Sequence, residues 1–128
     1  MGDLSAHFSK SEFACHCGQC QMIDIDPQLI ALLEKLITDF STMPDRAIVK
    51  ITSGYRCPAH NKAVGGAPNS QHCLGIAADI QVSLHGRRIA PEAIHRYLCR
   101  LYPDSHGIGL YRDWVHIDTR PTKARWKG

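Results

Sequence analysis

A small α+β domain, with one antiparallel sheet flanked by helices, is the fold class this 128-residue chain predicts. Three observations carry that expectation. Two stretches repeat apolar residues at helical spacing, and four shorter stretches carry the β-branched or alternating character of strands. Between them, residues 54–75 hold four glycines and two prolines, too many breakers for a long regular element.

Taken in order, Asp26 and Pro27 read as an N-cap and a first-turn proline. The apolar positions that follow, 29, 30, 32, 33, 36, 37 and 40, lie on one helical face. After a turn at Pro44 and Asp45, RAIVKITSG alternates as a strand ending at Gly54. The breaker-rich stretch leaves room for one short helix, CPAHNKAV, and a long ordered loop in so small a domain usually has a job. IAADIQV resumes strand character, and APEAIHRYLCRLY supplies a second amphipathic helix with a proline near its start. GIGLY and WVHIDTR close the chain as two short strands around Arg112 and Asp113.

Composition narrows the class. With 44% hydrophobic and 21% charged residues and no biased tract, the chain is neither disordered nor fibrous, and residues 1–128 read as a single domain without internal repeats. The longest mostly apolar stretch, 29–37, is interrupted by Glu34 and Lys35 and falls far short of the roughly 20 residues of a membrane span. The opening MGDLSAHFSKSEF lacks the pattern of a secretory signal. Net charge is +3 with scattered basic residues, so nothing calls for nucleic acid. Only Arg120, Lys123, Arg125 and Lys127 cluster, and residues 121–128 read as a basic, solvated tail or as a contact for an anionic wall polymer. A monomer is the default for so small a chain.

Six cysteines form an even set: Cys15, Cys17 and Cys20 are dense, Cys57, Cys73 and Cys99 dispersed. A structural zinc with a fourth ligand from His16 or Cys99, disulfides, and buried thiols all remain open, since C-x-C-x-x-C departs from the usual paired C-x-x-C spacing.

The chemistry concentrates in SQHCLGIAADI, residues 70–80, and DWVHID, residues 113–118. His72 and Asp79 bracket Gly75, which permits the backbone to fold back and bring them together. Alone, the pair reads equally as a surface histidine and a strand-end carboxylate bonded to backbone. In the second stretch the period-two rule sets His116, Asp118 and Trp114 on one strand face. Two such clusters, each with its acid, exceed what eight histidines give by chance, and three protein ligands leave one position of a tetrahedral zinc open, the arrangement of a catalytic site.

Ser70-x-His72-x-x-Gly75-x-Ala77-x-Asp79, followed by Asp113-x-x-His116, resembles the zinc D-Ala-D-Ala carboxypeptidase/endopeptidase family, peptidase family M15. HFSKSEFACHCG is similar to the opening of its small single-domain members from phages and bacteria, and the resemblance covers residues 7–120. It implies a hedgehog/D-Ala-D-Ala peptidase-like fold, Zn2+ held by His72, Asp79 and His116, Asp113 as catalytic acid/base, and Arg56 on the substrate and developing oxyanion. It further implies Ser70 as a substrate contact and Asp118 as the group orienting a ligand histidine. Some members have a histidine where this chain has Tyr111; a phenol still donates a hydrogen bond there, and His106 reads as a simple loop histidine or, instead, as one that approaches the cleft.

With Arg56 and His72 converging on a cleft, the adjacent Cys57 and Cys73 suggest a bridge pinning the long loop. Loops 83–91 and 102–107 are the candidates for closing the cleft's far end. The implied substrates are peptidoglycan stem peptides or crosslinks, cut in the periplasm or outside the cell by an enzyme that a phage delivers or another route exports. The alternative is a non-catalytic zinc-containing cell-wall-binding module or a phage structural module on the same fold.

Overall fold

The computed structural model describes residues 4–17, 24–42, 45–66 and 70–128. Cys20 and the Pro44 turn lie outside the described residues.

The first helix, α1 (Pro27–Phe40), starts where the sequence places it: Asp26 Oδ1 accepts from Gln28 N at 3.0 Å, and Pro27 occupies the first turn. Its apolar face, Leu29, Ile30, Leu32, Leu33, Leu36 and Ile37, is buried. Strand β1 (Ile48–Ser53) follows, then the short α2 (Pro58–Ala63) and a 3-10 turn at Gln71–Leu74. Strand β2 (Ala77–Leu84) runs into a two-residue strand, β3 (Arg87–Arg88), through His85 (φ 56°) and Gly86 (φ 73°). Paired positive φ values are the signature of a two-residue hairpin turn, and SLHGRR carried no strong enough alternation to announce it. Then come α3 (Pro91–Leu101), β4 (Gly107–Leu110), β5 (Val115–Asp118) and β6 (Ala124–Lys127).

Among the described residues six strands form one sheet in the order β1-β2-β5-β4-β6, with β3 beside β2. The sheet is antiparallel as expected except at its end, where β6 runs parallel to β4. Within the basic segment 121–128, residues 124–127 are therefore a paired edge strand, while 121–123 stay exposed. Arg125 is held by backbone carbonyls, with Nη1 on His106 O at 2.7 Å and on Ser105 O at 3.1 Å, so its charge is spent inside the fold. Local composition cannot distinguish a basic tail from a basic edge strand; the pairing with β4 is what decides.

Alternation splits the sheet's side chains. Ala78, Ile80 and Val82 of β2, Ile108 of β4, and Val115 and Ile117 of β5 join the buried faces of α1 and α3 in one core with Phe8 and Phe13. The residues between them, Asp79, His116 and Asp118, face the opposite side. Register aligns them: Asp79 pairs with His116, His116 with Gly109, and Gly109 with Trp126, in one row across four strands. Gly109 is small for a reason, because a Cβ there would lie 2.4 Å from Trp126 Nε1.

Candidate metal centre

His72 sits on the 3-10 turn that caps this polar face. Ser70 begins the turn by accepting from His72 N at 3.2 Å, and Gly75 ends it in the left-handed region at φ 72°. The ring is buried, and its Nδ1 donates to Gly54 O at 2.7 Å, which leaves Nε2 as the lone-pair nitrogen. That nitrogen lies 3.3 Å from Asp79 Oδ1, and His116 Nδ1 lies 3.0 Å from the same oxygen. The two rings meet edge-on with centroids 5.0 Å apart. Four residues on β2, β5 and the loop thus converge on one point: the three donor groups and Arg56, whose Nη2 stands 3.9 Å from Asp79 Oδ2.

The donor set fits a zinc ion. All three ligand atoms lie within 4.8 Å of one another, and tetrahedral coordination at the usual zinc–nitrogen and zinc–oxygen lengths calls for separations of about 3.4 Å. Behind His116 stands Asp118, fully buried, with Oδ2 2.8 Å from His116 Nε2. Asp118 is itself gripped by Arg120 through Nε at 2.9 Å and Nη2 at 2.8 Å, and by the backbone N–H of Gly107 at 3.0 Å and of Arg120 at 3.1 Å. Each imidazole therefore has one nitrogen committed to an acceptor and the other aimed at the shared point, the arrangement that fixes tautomer and ring orientation in metal sites.

Charge follows the same logic. Burial pushes the Asp79 carboxyl up, but its contacts with His116 and His72 outweigh burial and hold it at about 2. Burial also opposes charge on Asp118, and the bonds from His116 and Arg120 again prevail, leaving it ionised far below the ordinary range. His116 is raised: burial lowers it, but Asp118 and Asp79 on its two nitrogens raise it more.

The site opens into a cavity of about 470 Å³. Arg56, Ser70, His72, Asp79, Tyr111 and His116 all line it, as do Trp114, Arg120 and Trp126. Tyr111 stacks on Trp114 with centroids 4.7 Å apart, and its hydroxyl accepts from Trp126 Nε1 at 2.9 Å, so its own O–H remains a donor. Arg56 is steadied by Asn61 Oδ1, 2.9 Å from Nη1. Asn61, Arg120 and Trp126 were missed in the sequence. Arg120 could have been found from its two-residue spacing to Asp118; Asn61 and Trp126 carried no local signal.

Several expected residues stand elsewhere. Asp113 is exposed in the β4–β5 turn and does not line the cavity; its carbonyl accepts from Gln81 Nε2 at 2.9 Å. His106 lies outside too, stacked on Tyr102 with centroids 3.8 Å apart and bonded to Ser105 Oγ. Residues 83–91 and 102–107 supply no lining residue. The Cys57–Cys73 bridge is not formed, and Cys57 Sγ turns toward Cys15 and Cys17 instead. Cys99 faces His95 on its own helix, 3.8 Å from Nε2, and does not join Cys15 and Cys17.

Fold and site together define an α+β domain with a candidate divalent-metal centre at the floor of a polar, aromatic-walled cavity. The profile of the Peptidase M15 family matches residues 6–118, and the chain belongs to that family of generally zinc-dependent peptidases. No curated protein and no solved structure matches the chain. Among the described residues no helix is long and apolar enough to cross a membrane.

Proposed function

We propose that the chain is a zinc metallopeptidase acting on bacterial peptidoglycan, cutting stem peptides or crosslinks as a D,D-carboxypeptidase or endopeptidase. The observation that carries this reading is the His72–Asp79–His116 set, three donors that line a cavity also lined by Arg56. Zinc, when bound, acidifies a water and polarises the scissile carbonyl. Arg56, fixed by Asn61, offers positive charge where the tetrahedral centre turns negative, and the Tyr111 O–H adds a donor. Trp114, stacked on Tyr111, walls the cavity against which a substrate would lie. Ser70 keeps its own O–H for substrate while its oxygen caps the turn. Asp113 takes the proton from the attacking water and passes it to the leaving amine, which requires its carboxylate to swing inward past Trp114 when substrate binds. The site of action is the cell wall.

The exposure of Asp113 favours one other reading, a non-catalytic zinc-containing wall-binding or phage structural module, because Asp79 is the sole carboxylate among the described residues lining the cavity. Digestion of purified peptidoglycan with the zinc-loaded protein, followed by mass spectrometry of the muropeptides, separates the two and identifies the bond. New fragments that vanish in Asp113→Ala at unchanged zinc content support the peptidase with Asp113 as its base. Intact muropeptides with the wild-type protein would refute it in favour of the module.

A further inference from the structure

We infer that the chain carries a second, structural zinc site built from Cys15, Cys17 and Cys57, none of which lines the cavity. Cys57 Sγ lies 3.7 Å from Cys15 Sγ and 3.8 Å from Cys17 Sγ, and the three sulfurs all fall within 4.8 Å of one another. A disulfide joins one pair of sulfurs at about 2.05 Å and has no use for a third. Tetrahedral zinc with bonds of about 2.3 Å to sulfur separates its ligands by about 3.8 Å, the spacing of Cys57 Sγ from each of the other two sulfurs.

Two further features mark a built site. Cys15 and Cys57 are buried, and backbone N–H groups point at their sulfurs: Cys57 N to Cys15 Sγ and His60 N to Cys57 Sγ, each at 3.4 Å. Such donors stabilise a ligating thiolate and set its direction. Three soft sulfurs select zinc over magnesium or calcium.

The placement gives the site a purpose. The N-terminal segment already meets the turn through Tyr55 N on Phe13 O at 2.8 Å. The ion clamps the same two segments together, and that turn carries both Gly54 O, which orients His72, and Arg56. The site is independent of the peptidase reading and survives its failure.

The test uses the full chain with the cavity ligands removed, His72→Ala/His116→Ala, purified with zinc. Elemental analysis is expected to find two zinc ions per wild-type chain and one in this variant. Absorption at the zinc edge of the variant should show sulfur neighbours at about 2.3 Å. Its cobalt-loaded form should show thiolate-to-cobalt charge transfer in the near ultraviolet. Adding Cys57→Ser should remove the remaining ion. A folded His72→Ala/His116→Ala protein without metal, a shell of nitrogen and oxygen alone, or a disulfide among these cysteines would overturn the proposal.

Discussion

Asp118→Asn tests the reasoning about the metal centre most directly. The wild-type carboxylate is fully buried and accepts from five donors: His116 Nε2–H, Arg120 Nε, Nη2 and backbone N, and Gly107 N. An asparagine of the same shape keeps one acceptor oxygen and must set its NH2 in place of either Oδ1, which faces three N–H donors, or Oδ2, which faces His116 Nε2 and Arg120 Nη2. Backbone and guanidinium N–H groups cannot accept, so the amide nitrogen is driven to the Oδ2 position, where Arg120 Nη2 loses its bond and His116 Nε2 must become the acceptor. The ring's proton moves to Nδ1, the atom aimed at the ion. Loss of such a supporting acceptor costs about 10–100-fold in metal affinity, or roughly 1.4–2.7 kcal/mol. Competition against a chromophoric chelator reads the affinity, and nitrogen-15 NMR of the His116 ring reads the tautomer. An affinity within about twofold of wild type, with Nε2 still protonated, would refute the argument that Asp118 governs this ligand.

Three other outcomes follow. Leu33→Ala removes a fully buried side chain from the centre of the α1 face and should cost about 2–5 kcal/mol in urea unfolding; a loss under about 1 kcal/mol would mean that α1 does not hold the core together. Deleting residues 121–128 removes β6 and the Trp126 wall, so the deletion should lower the thermal midpoint and weaken binding of peptide ligands, whereas a dispensable tail would change neither. Glu34 is acid-sensitive: burial raises its carboxyl, but bonds from Ser5 and His7 outweigh burial and lower it below the ordinary range. Its contribution is therefore complete above the unfolded-state value and fades as pH falls through the lower folded value. The protection of the His7 amide, bonded to Glu34 Oε2 at 2.8 Å, relative to its intrinsic exchange rate at each pH should fall over that window in wild type and show no such step in Glu34→Gln.

Local pattern made much of this legible. Asp26-Pro27 and the spacing of Leu29 to Phe40 announced α1 because cap, proline and amphipathic face all lie within one segment. Strand alternation placed His116 and Asp118 on one face, and the observed bond between them follows from that parity. What escaped was set by long-range pairing. Whether Lys123 to Lys127 pair with anything depends on β4, and whether Cys57 turns to Cys73 or to Cys15 depends on the path of the 54–57 turn. Asp113 shows the limit of motif spacing: three residues before His116 fixes its distance along the chain, while the β4–β5 turn decides which way its carboxylate looks.

The pairing of Asp79 with His116 joins strands whose sequence positions are 37 apart, with all of α3 between them. An ion held there is a staple between the front and rear halves of the polypeptide, and it can be bound only by the assembled form. A hundredfold excess of free metal over its dissociation constant then adds about 2.7 kcal/mol against unfolding. Starvation for metal would thus strip the chain of a tether as well as a reagent, leaving the depleted molecules first in line for proteolysis.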